Sequence, residues 1–254
     1  MTELVQSHVD GGVQLIRMNR PDKKNALIAE MYDGLAEAVA GAEADDGVGV
    51  LLFAGSRTDF SAGNDLGDFL TWDRLTGSPA DRFIRAVAGA RKPVVAAVRG
   101  AAIGIGATML PHCDLVYAAP ATRFHMPFIN LGIVPEAGSS MTMPLLAGHR
   151  RAAEMLMLGE PFGVETALAV GLINAVIADD EVEPVALAAA AKLAAKPRDT
   201  LLKIKALMRT PAEPMAARLD REAALFDQCL KRPELKEAVA AFRDKRPPDF
   251  SKCR

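Results

Sequence analysis

Glu136 is the carboxylate whose surroundings best suit acid–base chemistry. It follows Pro135 at a predicted helix start. A run of apolar neighbours is expected to desolvate this carboxylate and to raise its pKa toward the range of a working base, namely Phe128, Ile129, Leu131, Ile133 and Val134. A glutamate after a helix-starting proline also has a simpler explanation, since it stabilises the positive end of the helix dipole. The residues alone leave both interpretations open, a catalytic base and a helix cap.

Two turns rich in small residues could present backbone N–H groups to a ligand. The first, residues 60–66 (the Asn64 turn), contains Gly63, and Asp65 could begin a helix there as its N-cap. An ordinary strand-to-helix turn is the alternative for it. The second, residues 100–106 (the Ile105 turn), carries three glycines. We expect the N–H groups of Asn64 and Ile105 to face the same oxygen.

The glycine spacing of the Ile105 turn also has a competing interpretation. Gly100-x-x-x-Gly104-x-Gly106 is similar to the phosphate-binding turn of short-chain dehydrogenases. Such a turn should follow the first strand of the fold, whereas this one lies near residue 100. Neither Tyr32 nor Tyr117 is followed four positions later by the lysine that those enzymes use. These differences disfavour nicotinamide binding.

Other reactive side chains lack the partners that their chemistry requires. His112 and His125 have no acidic or cysteine neighbour at ligand spacing, so we expect no metal site. Ser139 and Ser140 do not lie in a Gly-x-Ser-x-Gly elbow, which disfavours a hydrolase of that kind.

The elements that must position these residues follow from apolar spacing. Short apolar runs predict strands at residues 13–18, 48–53, 94–98 and 115–118, and helical spacing predicts helices at 26–43 and 79–90. After residue 176 the pattern predicts helices only, at 181–196, 199–208, 214–230 and 234–243, separated by prolines. We therefore expect an α/β core over residues 1–196 and a helical oligomerisation or lid region over residues 197–254.

Composition narrows the classes of partner and compartment. The chain has 254 residues and a formal net charge of -2 with no basic field, which disfavours nucleic acid as a partner. Three scattered cysteines indicate a reducing compartment. No apolar run is long enough to cross a membrane, and the N-terminus does not resemble an export signal. We expect a cytoplasmic protein with no membrane partner.

Taken together, these segments resemble the crotonase (enoyl-CoA hydratase/isomerase) family. The resemblance lies in their order and spacing along nearly the whole chain, through residues 19–27, 60–66, 92–106, 113–115, 124–132 and 135–140. It implies a spiral of β-β-α units with a C-terminal helical region, assembled as a homotrimer or a dimer of trimers. It also implies an acyl-CoA thioester substrate in fatty-acid metabolism such as β-oxidation, with no cofactor beyond the coenzyme A of the substrate.

The resemblance assigns roles to individual residues. The N–H groups of Asn64 and Ile105 would hold the thioester oxygen, and Glu136 would be catalytic. The substrate and its coenzyme A would contact Lys24, Ala26, Ala62, Gly63, Asn64, Asp65, Leu66, Gly104 and Phe128. We expect Phe69, Trp72 and Met126 to be packing residues. The alternative is that they line part of an acyl pocket.

The carboxylates decide which reaction of the family to expect. The two glutamates that hydratases carry fall here on Thr108 and Phe128, neither of which is an acid or base near neutral pH. Residues 135–140, Pro-Glu-Ala-Gly-Ser-Ser, are similar to the peroxisomal type of 3-enoyl-CoA to 2-enoyl-CoA isomerase, in which one glutamate moves the proton. The alternatives are a hydratase or a relative acting on an unusual acyl group, with Asp65 or Asp68 as second carboxylate, and a non-catalytic acyl-CoA-binding protein.

Overall fold

The computed structural model describes residues 3–253 and shows a layered α/β body followed by helices. Its strands are β1 Val5–Asp10, β2 Val13–Met18, β3 Val50–Ala54, β4 Val94–Val98, β5 Ala101–Ile103, β6 Leu115–Ala118, β7 Arg123–His125 and β8 Ala175–Val176. Its helices are α1 Ala29–Ala44, α2 Leu66–Phe69, α3 Pro79–Ala88, α4 Ile105–Thr108, α5 Ser139–Ala153, α6 Val164–Ala169, α7 Val182–Ala194, α8 Arg198–Arg209, α9 Met215–Leu230 and α10 Pro233–Arg243.

The main sheet of the described chain is mostly parallel and is covered on both faces. Its strand order is β1-β2-β3-β4-β6-β8, with β1 antiparallel to β2 and the other neighbours parallel. Leu51 and Phe53 of β3 belong to the core beneath α1 and α3, whereas Leu52 packs in the core beneath α7. A strand buried on both faces reads as a continuous apolar run, and such runs led to the predicted strands.

A second, smaller set of strand pairings lies beside the main sheet. β5 pairs with β7 in parallel, and isolated parallel bridges join Ser61 to Ala102 and Leu27 to Asn64. These pairings bring the Asn64 turn and the Ile105 turn to the same side of the molecule. They therefore hold the two turns of the candidate active site next to each other.

The predicted elements match the observed ones closely in the core and in the C-terminal third. β2, β4 and β6 have the predicted bounds, and α7 to α10 lie within one or two residues of the predicted helices. β1, β5, β7 and β8 were not predicted. The ends of the expected core and C-terminal region at residues 1 and 254 lie outside the described residues.

Two kinds of feature are absent from residues 3–253. No helix among them is long and apolar enough to cross a membrane. No group of three or more His, Cys, Asp or Glu side chains in that range is arranged to hold a metal ion.

Candidate active site

The Asn64 turn and the Ile105 turn approach each other at a pair of glycines. Gly63 has a φ of +85°, and a Cβ on it would lie 2.8 Å from the carbonyl oxygen of Ile103. Gly104 has a φ of +54°, and a Cβ on it would lie 3.7 Å from the Cα of Gly63. Glycine is favoured at both positions, because the conformation is left-handed and the backbones are close.

Two N–H groups next to these glycines have no protein acceptor within residues 3–253, those of Asn64 and Ile105. The N–H of Leu27 donates to the carbonyl of Gly63 at 2.7 Å, and its carbonyl accepts from Asp65 at 2.9 Å. In such a parallel pairing the N–H of Asn64 points away from Leu27. Ile105 begins α4, where N–H groups have no intrahelical partner. Both groups are available to a carbonyl oxygen, and their role as an oxyanion hole stays a prediction.

A cavity of about 180 Å³ opens where the two turns meet. It contains predicted substrate residues together with apolar side chains, and it is lined by Ala62, Gly63, Asn64, Leu66, Phe69, Ile103, Gly104, Pro127, Phe128, Leu131 and Ile133. Phe69 thus lines this cavity, whereas Met126 is a fully buried core residue and Trp72 packs against the core. A larger cavity of about 680 Å³ shares none of these lining residues and includes the ion pairs Arg91–Glu43 and Arg232–Glu234.

Three predicted coenzyme A contacts lie outside the lining of this cavity. The carbonyl of Lys24 accepts from the N–H of Ala62 at 2.9 Å, and the carbonyl of Ala26 accepts from Arg20 at 2.8 Å. Asp65 forms an ion pair with Arg20 at 2.8 Å and is the N-cap of α2. These contacts shape the Asn64 turn, and coenzyme A binding by the three residues stays a prediction.

The chain at Glu136 is not helical, so the predicted helix start at Pro135 is wrong. Ala137 and Gly138 have φ values of +52° and +68°, and α5 begins only at Ser139. Left-handed residues interrupt a right-handed helix. The backbone N–H and the hydroxyl of Ser139 both donate to the carbonyl of Glu136, at 3.0 and 2.7 Å. Capping therefore does not explain Glu136.

The carboxylate of Glu136 is desolvated and accepts one hydrogen bond from within the described chain. Burial raises its pKa from 4.5 to about 7, against the opposing effect of the Thr108 hydroxyl, which donates to Oε1 at 2.5 Å. Thr108 itself is fully buried. Oε2 has no hydrogen-bond partner within residues 3–253, and Glu136 is not among the residues that line the cavity of about 180 Å³, so proton transfer by Oε2 stays a prediction.

Most of the apolar neighbours that were expected to desolvate Glu136 are themselves exposed. Phe128 is buried, but the other apolar neighbours in sequence are exposed in the described chain, with 52% exposure for Ile129, 48% for Leu131, 38% for Ile133 and 82% for Val134. The raised pKa is as predicted, and its assignment to these four residues stays a prediction. Two fully buried residues that are distant in sequence also interact with the carboxylate: Thr108 donates a hydrogen bond to it, and its charge raises the pKa of Tyr32.

Tyr32 is a site residue that the sequence did not reveal. Its phenol donates to Oδ1 of the Asn64 side chain, and its ring packs 5.9 Å from Trp72 and 6.1 Å from Phe83. Burial raises the pKa of Tyr32 well above its usual value, and the charge of Glu136 adds to this effect. The phenol therefore stays protonated and holds Asn64.

The aspartates considered as a second carboxylate are engaged elsewhere. The hydrogen bond from Arg20 is the largest of the effects that lower the pKa of Asp65. Oδ2 of Asp68 accepts from the backbone N–H of Ala29 at 3.0 Å. Asp65 is thus a poor base, and Asp68 fastens α2 to the start of α1.

Comparison with known proteins identifies the family of the chain. The sequence profile of the enoyl-CoA hydratase/isomerase family matches residues 8–253. The chain therefore belongs to this family, which is the crotonase family named above. A solved structure from Magnetospirillum magneticum AMB-1, described as an enoyl-CoA hydratase/carnithine racemase, shares 76% identity with a TM-score of 0.98 and covers 99% of this chain and 100% of its own. The expected crotonase-type α/β fold is confirmed.

Curated relatives differ in the reaction that their names state. The 1,2-epoxyphenylacetyl-CoA isomerase of Escherichia coli (strain K12) is 34% identical over 261 residues, which cover 99% of this chain and 99% of the relative. Enoyl-CoA delta isomerase 2 of Rattus norvegicus is 38% identical over 181 residues, which cover 68% of this chain and 46% of the rat protein. The chain is thus an enzyme of the hydratase/isomerase family, and the names do not agree on one reaction.

Proposed function

We propose that the protein isomerises 3-enoyl-CoA to 2-enoyl-CoA with Glu136 as a one-carboxylate proton shuttle. The observation that carries the proposal is the state of Glu136, whose pKa is raised to about 7 and whose Oε1 is held by Thr108. The positions that would carry the two hydratase glutamates are Thr108 and Phe128. Neither residue can activate water, so a proton shift without hydration fits these residues best.

The reaction begins with removal of a proton from C2 of the substrate. Oε2 of Glu136 takes this proton, the negative charge spreads onto the thioester oxygen, and the N–H groups of Asn64 and Ile105 stabilise it. Fixed donors of this kind each contribute about 3 kcal/mol to transition-state stabilisation. The protonated Glu136 then returns the proton at C4, so the double bond moves from C3–C4 to C2–C3 and no atom is gained or lost.

Phe128 supports the choice of isomerisation over hydration. Its side chain is 5% exposed and lines the cavity beside the Ile105 turn. An aromatic ring at this position excludes the water that a hydratase must hold. Exclusion of water also keeps Glu136 basic, because desolvation is the cause of its raised pKa.

The second candidate is another crotonase-type reaction on an unusual acyl group. The similarity to the Escherichia coli protein named 1,2-epoxyphenylacetyl-CoA isomerase favours it, because that relative covers nearly the whole chain. A proton shuttle beside an oxyanion hole suits either substrate. The two candidates differ in the acyl group and share Glu136.

The test is incubation with 3-hexenoyl-CoA and, separately, 2-hexenoyl-CoA in heavy water. We expect interconversion of the two isomers with no 3-hydroxy product, and label at C2 and C4 to the extent that the proton on Glu136 exchanges with solvent during turnover. Glu136→Gln should abolish the double-bond shift and leave acyl-CoA binding nearly intact. Isomerisation that survives this substitution would show that another group moves the proton. Hydration well above the Glu136→Gln background would favour a hydratase, and tight binding without exchange at C2 would favour a non-catalytic acyl-CoA-binding protein.

The remaining expectations are proposals that rest on family membership. We propose that coenzyme A enters only as part of the acyl-CoA substrate, that the enzyme acts in the cytoplasm, in a pathway such as β-oxidation, and that it assembles as a homotrimer or a dimer of trimers. Support for assembly comes from large apolar side chains of α9 and α10 that are exposed in the single chain, namely Met215, Leu219, Phe226, Leu230, Leu235, Val239 and Phe242. An exposed apolar face of this size is typical of an interface.

A further inference from the structure

His112 lies outside the cavity but contacts the turn that carries Glu136. Its Nε2 is 2.7 Å from the carbonyl oxygen of Ala137. A carbonyl can only accept a hydrogen bond, so Nε2 carries the proton. His112 ends the short 3₁₀ turn Leu110–His112, which follows Thr108 in the chain. Residues 108–112 thus contact both the carboxylate of Glu136, through Thr108, and the carbonyl of Ala137, through His112.

The conformation of Ala137 needs support from its surroundings. Its φ of +52° is left-handed, which is rare for a residue with a side chain, and it is 6% exposed. Such a conformation persists where neighbouring groups hold it. Ser139 holds the carbonyl of Glu136, and His112 holds the carbonyl of Ala137. The two bonds together fix the direction in which the side chain of Glu136 leaves the backbone.

His112 is itself fixed and uncharged. Burial is the largest of the effects that lower its pKa; the nearby charges of Arg209 and Lys205 add to it, and the hydrogen bond to Ala137 opposes it. Nη2 of Arg209, on α8, donates to the carbonyl oxygen of His112 at 2.5 Å. A neutral ring has a single N–H to donate, and His112 donates it to the carbonyl of Ala137.

We propose that His112 is a positioning residue, whose hydrogen bond to Ala137 keeps the carboxylate of Glu136 against Thr108 and away from water. This inference rests on the proposed function of Glu136 as the proton shuttle. Loss of the bond would let the turn at Ala137 relax, and Glu136 would then gain contact with solvent. His112 touches neither the substrate cavity nor the carboxylate, so its effect on the reaction is exerted through Glu136.

The test compares His112→Phe, which keeps a ring and loses the donor, with His112→Gln, which keeps an N–H donor. We expect His112→Phe to lower kcat for 3-hexenoyl-CoA about 10- to 100-fold, because small displacements of a catalytic group have effects of this size. KM should stay within about two-fold of the wild-type value, because His112 makes no contact that would bind the substrate in its ground state. kcat/KM should fall at low pH as Glu136 becomes protonated, and the midpoint of this acidic limb should move from about pH 7 toward 4.5 in His112→Phe as Glu136 becomes solvated. His112→Gln should recover most of both losses.

A matched control removes a bond of the same kind elsewhere. Nε2 of His125 lies 2.7 Å from the carbonyl of Gly159, which also accepts from Asn130 at 2.8 Å. His125→Phe should leave the acidic limb where it is in the wild type. If His112→Phe fails to fold, His112→Met serves as the variant without a donor.

Direct titration separates this proposal from the proposed function. The pKa of Glu136 can be followed by ¹³C NMR of labelled glutamate without substrate, with Glu136→Gln for assignment. Two groups of the described chain interact with Glu136, the hydroxyl of Thr108, which donates to it, and the phenol of Tyr32, whose pKa its charge raises, and both are uncharged near neutral pH. A wild-type protein that does not isomerise 3-hexenoyl-CoA defeats the proposed function, and the titration still tests His112. Two results would overturn the positioning role of His112. One is a pKa of Glu136 in His112→Phe that equals the wild-type value, and the other is a kcat of His112→Gln as low as that of His112→Phe.

Discussion

Replacement of Thr108 by valine removes the hydroxyl that donates to Glu136 and keeps the shape of the side chain. Thr108 is fully buried, and its Oγ1 lies 2.5 Å from Oε1 of Glu136. This hydrogen bond stabilises the charged carboxylate and opposes the effect of burial, and the pKa that results from the two effects is about 7. The substitution should therefore raise the pKa of Glu136 further.

The size of this effect follows from the strength of one hydrogen bond. A bond to a charged group contributes about 1.5–3 kcal/mol, and one pKa unit corresponds to about 1.4 kcal/mol, so the pKa of Glu136 should rise from about 7 to about 8 or above. The ionised fraction at pH 7 would then fall from about one half to about one tenth. We expect kcat/KM at pH 7 to fall about five-fold and to recover above about pH 9.

The assay is the pH dependence of kcat/KM for 3-hexenoyl-CoA between about pH 5 and pH 10. Thr142→Val is the matched control, because Oγ1 of Thr142 is buried and has no hydrogen-bond partner within residues 3–253. The control should keep the wild-type acidic limb. The reasoning is refuted if the acidic limb of Thr108→Val stays at about 7 or moves to lower pH.

Three further predictions concern the backbone of the site, the stability of the fold and the assembly. In Gly63→Ala the new Cβ would lie 2.8 Å from the carbonyl oxygen of Ile103 and would displace the Asn64 turn. The variant should therefore lower kcat about 10²- to 10³-fold, the loss typical of a missing oxyanion donor. Gly77→Ala is the control, because Gly77 has a φ of +78° and no atom within 4 Å of the new Cβ, and this variant should lose only stability. The pKa of Glu136 is raised from 4.5 to about 7, so its contribution to stability is complete below about pH 4.5 and is lost as the pH rises through 7. Glu136→Gln should therefore be more stable than the wild type at pH 8 by on the order of 3 kcal/mol, but not at pH 4. A stability difference in urea unfolding that does not depend on pH would contradict this prediction. Leu219→Glu combined with Phe226→Glu should reduce the sedimenting mass, because both side chains are exposed on α9 of the single chain; a wild type that sediments as a monomer would disprove the expected trimer.

Elements with a strong apolar pattern could be predicted from the sequence, and short or exposed elements could not. β4 has its predicted bounds because all five of its residues are buried between two layers. β5 and β7 have three residues each, too few to show a period, and they pair across about 20 residues of chain. β1 carries exposed polar residues on an edge of the sheet, so it lacks the apolar run by which the other strands were predicted.

The site could be predicted where it depends on order along the chain. Glu136 and the glycine turns were found because their residue types and spacing form recognisable segments. The bond from Tyr32 to Asn64 and the bond from His112 to Ala137 join residues that are distant in sequence, and no local pattern marks such pairs. Pro135 predicted a helix start because proline fits there, but two left-handed residues delay the helix to Ser139.

The residue at position 108 bears on why one carboxylate suffices for a proton shuttle. A second carboxylate there would stand beside Glu136, and like charges at that distance raise one pKa strongly. Thr108 has the opposite effect, because its hydroxyl stabilises the charged form. Burial raises the pKa of Glu136 and the donor opposes this rise, so that the pKa stands at about 7, a value at which the proposed shuttle would both accept a proton from C2 and release it at C4. Under the proposed function, threonine at position 108 would thus remove the second base that a hydratase needs and, at the same time, adjust the pKa of Glu136 for action as a single carboxylate.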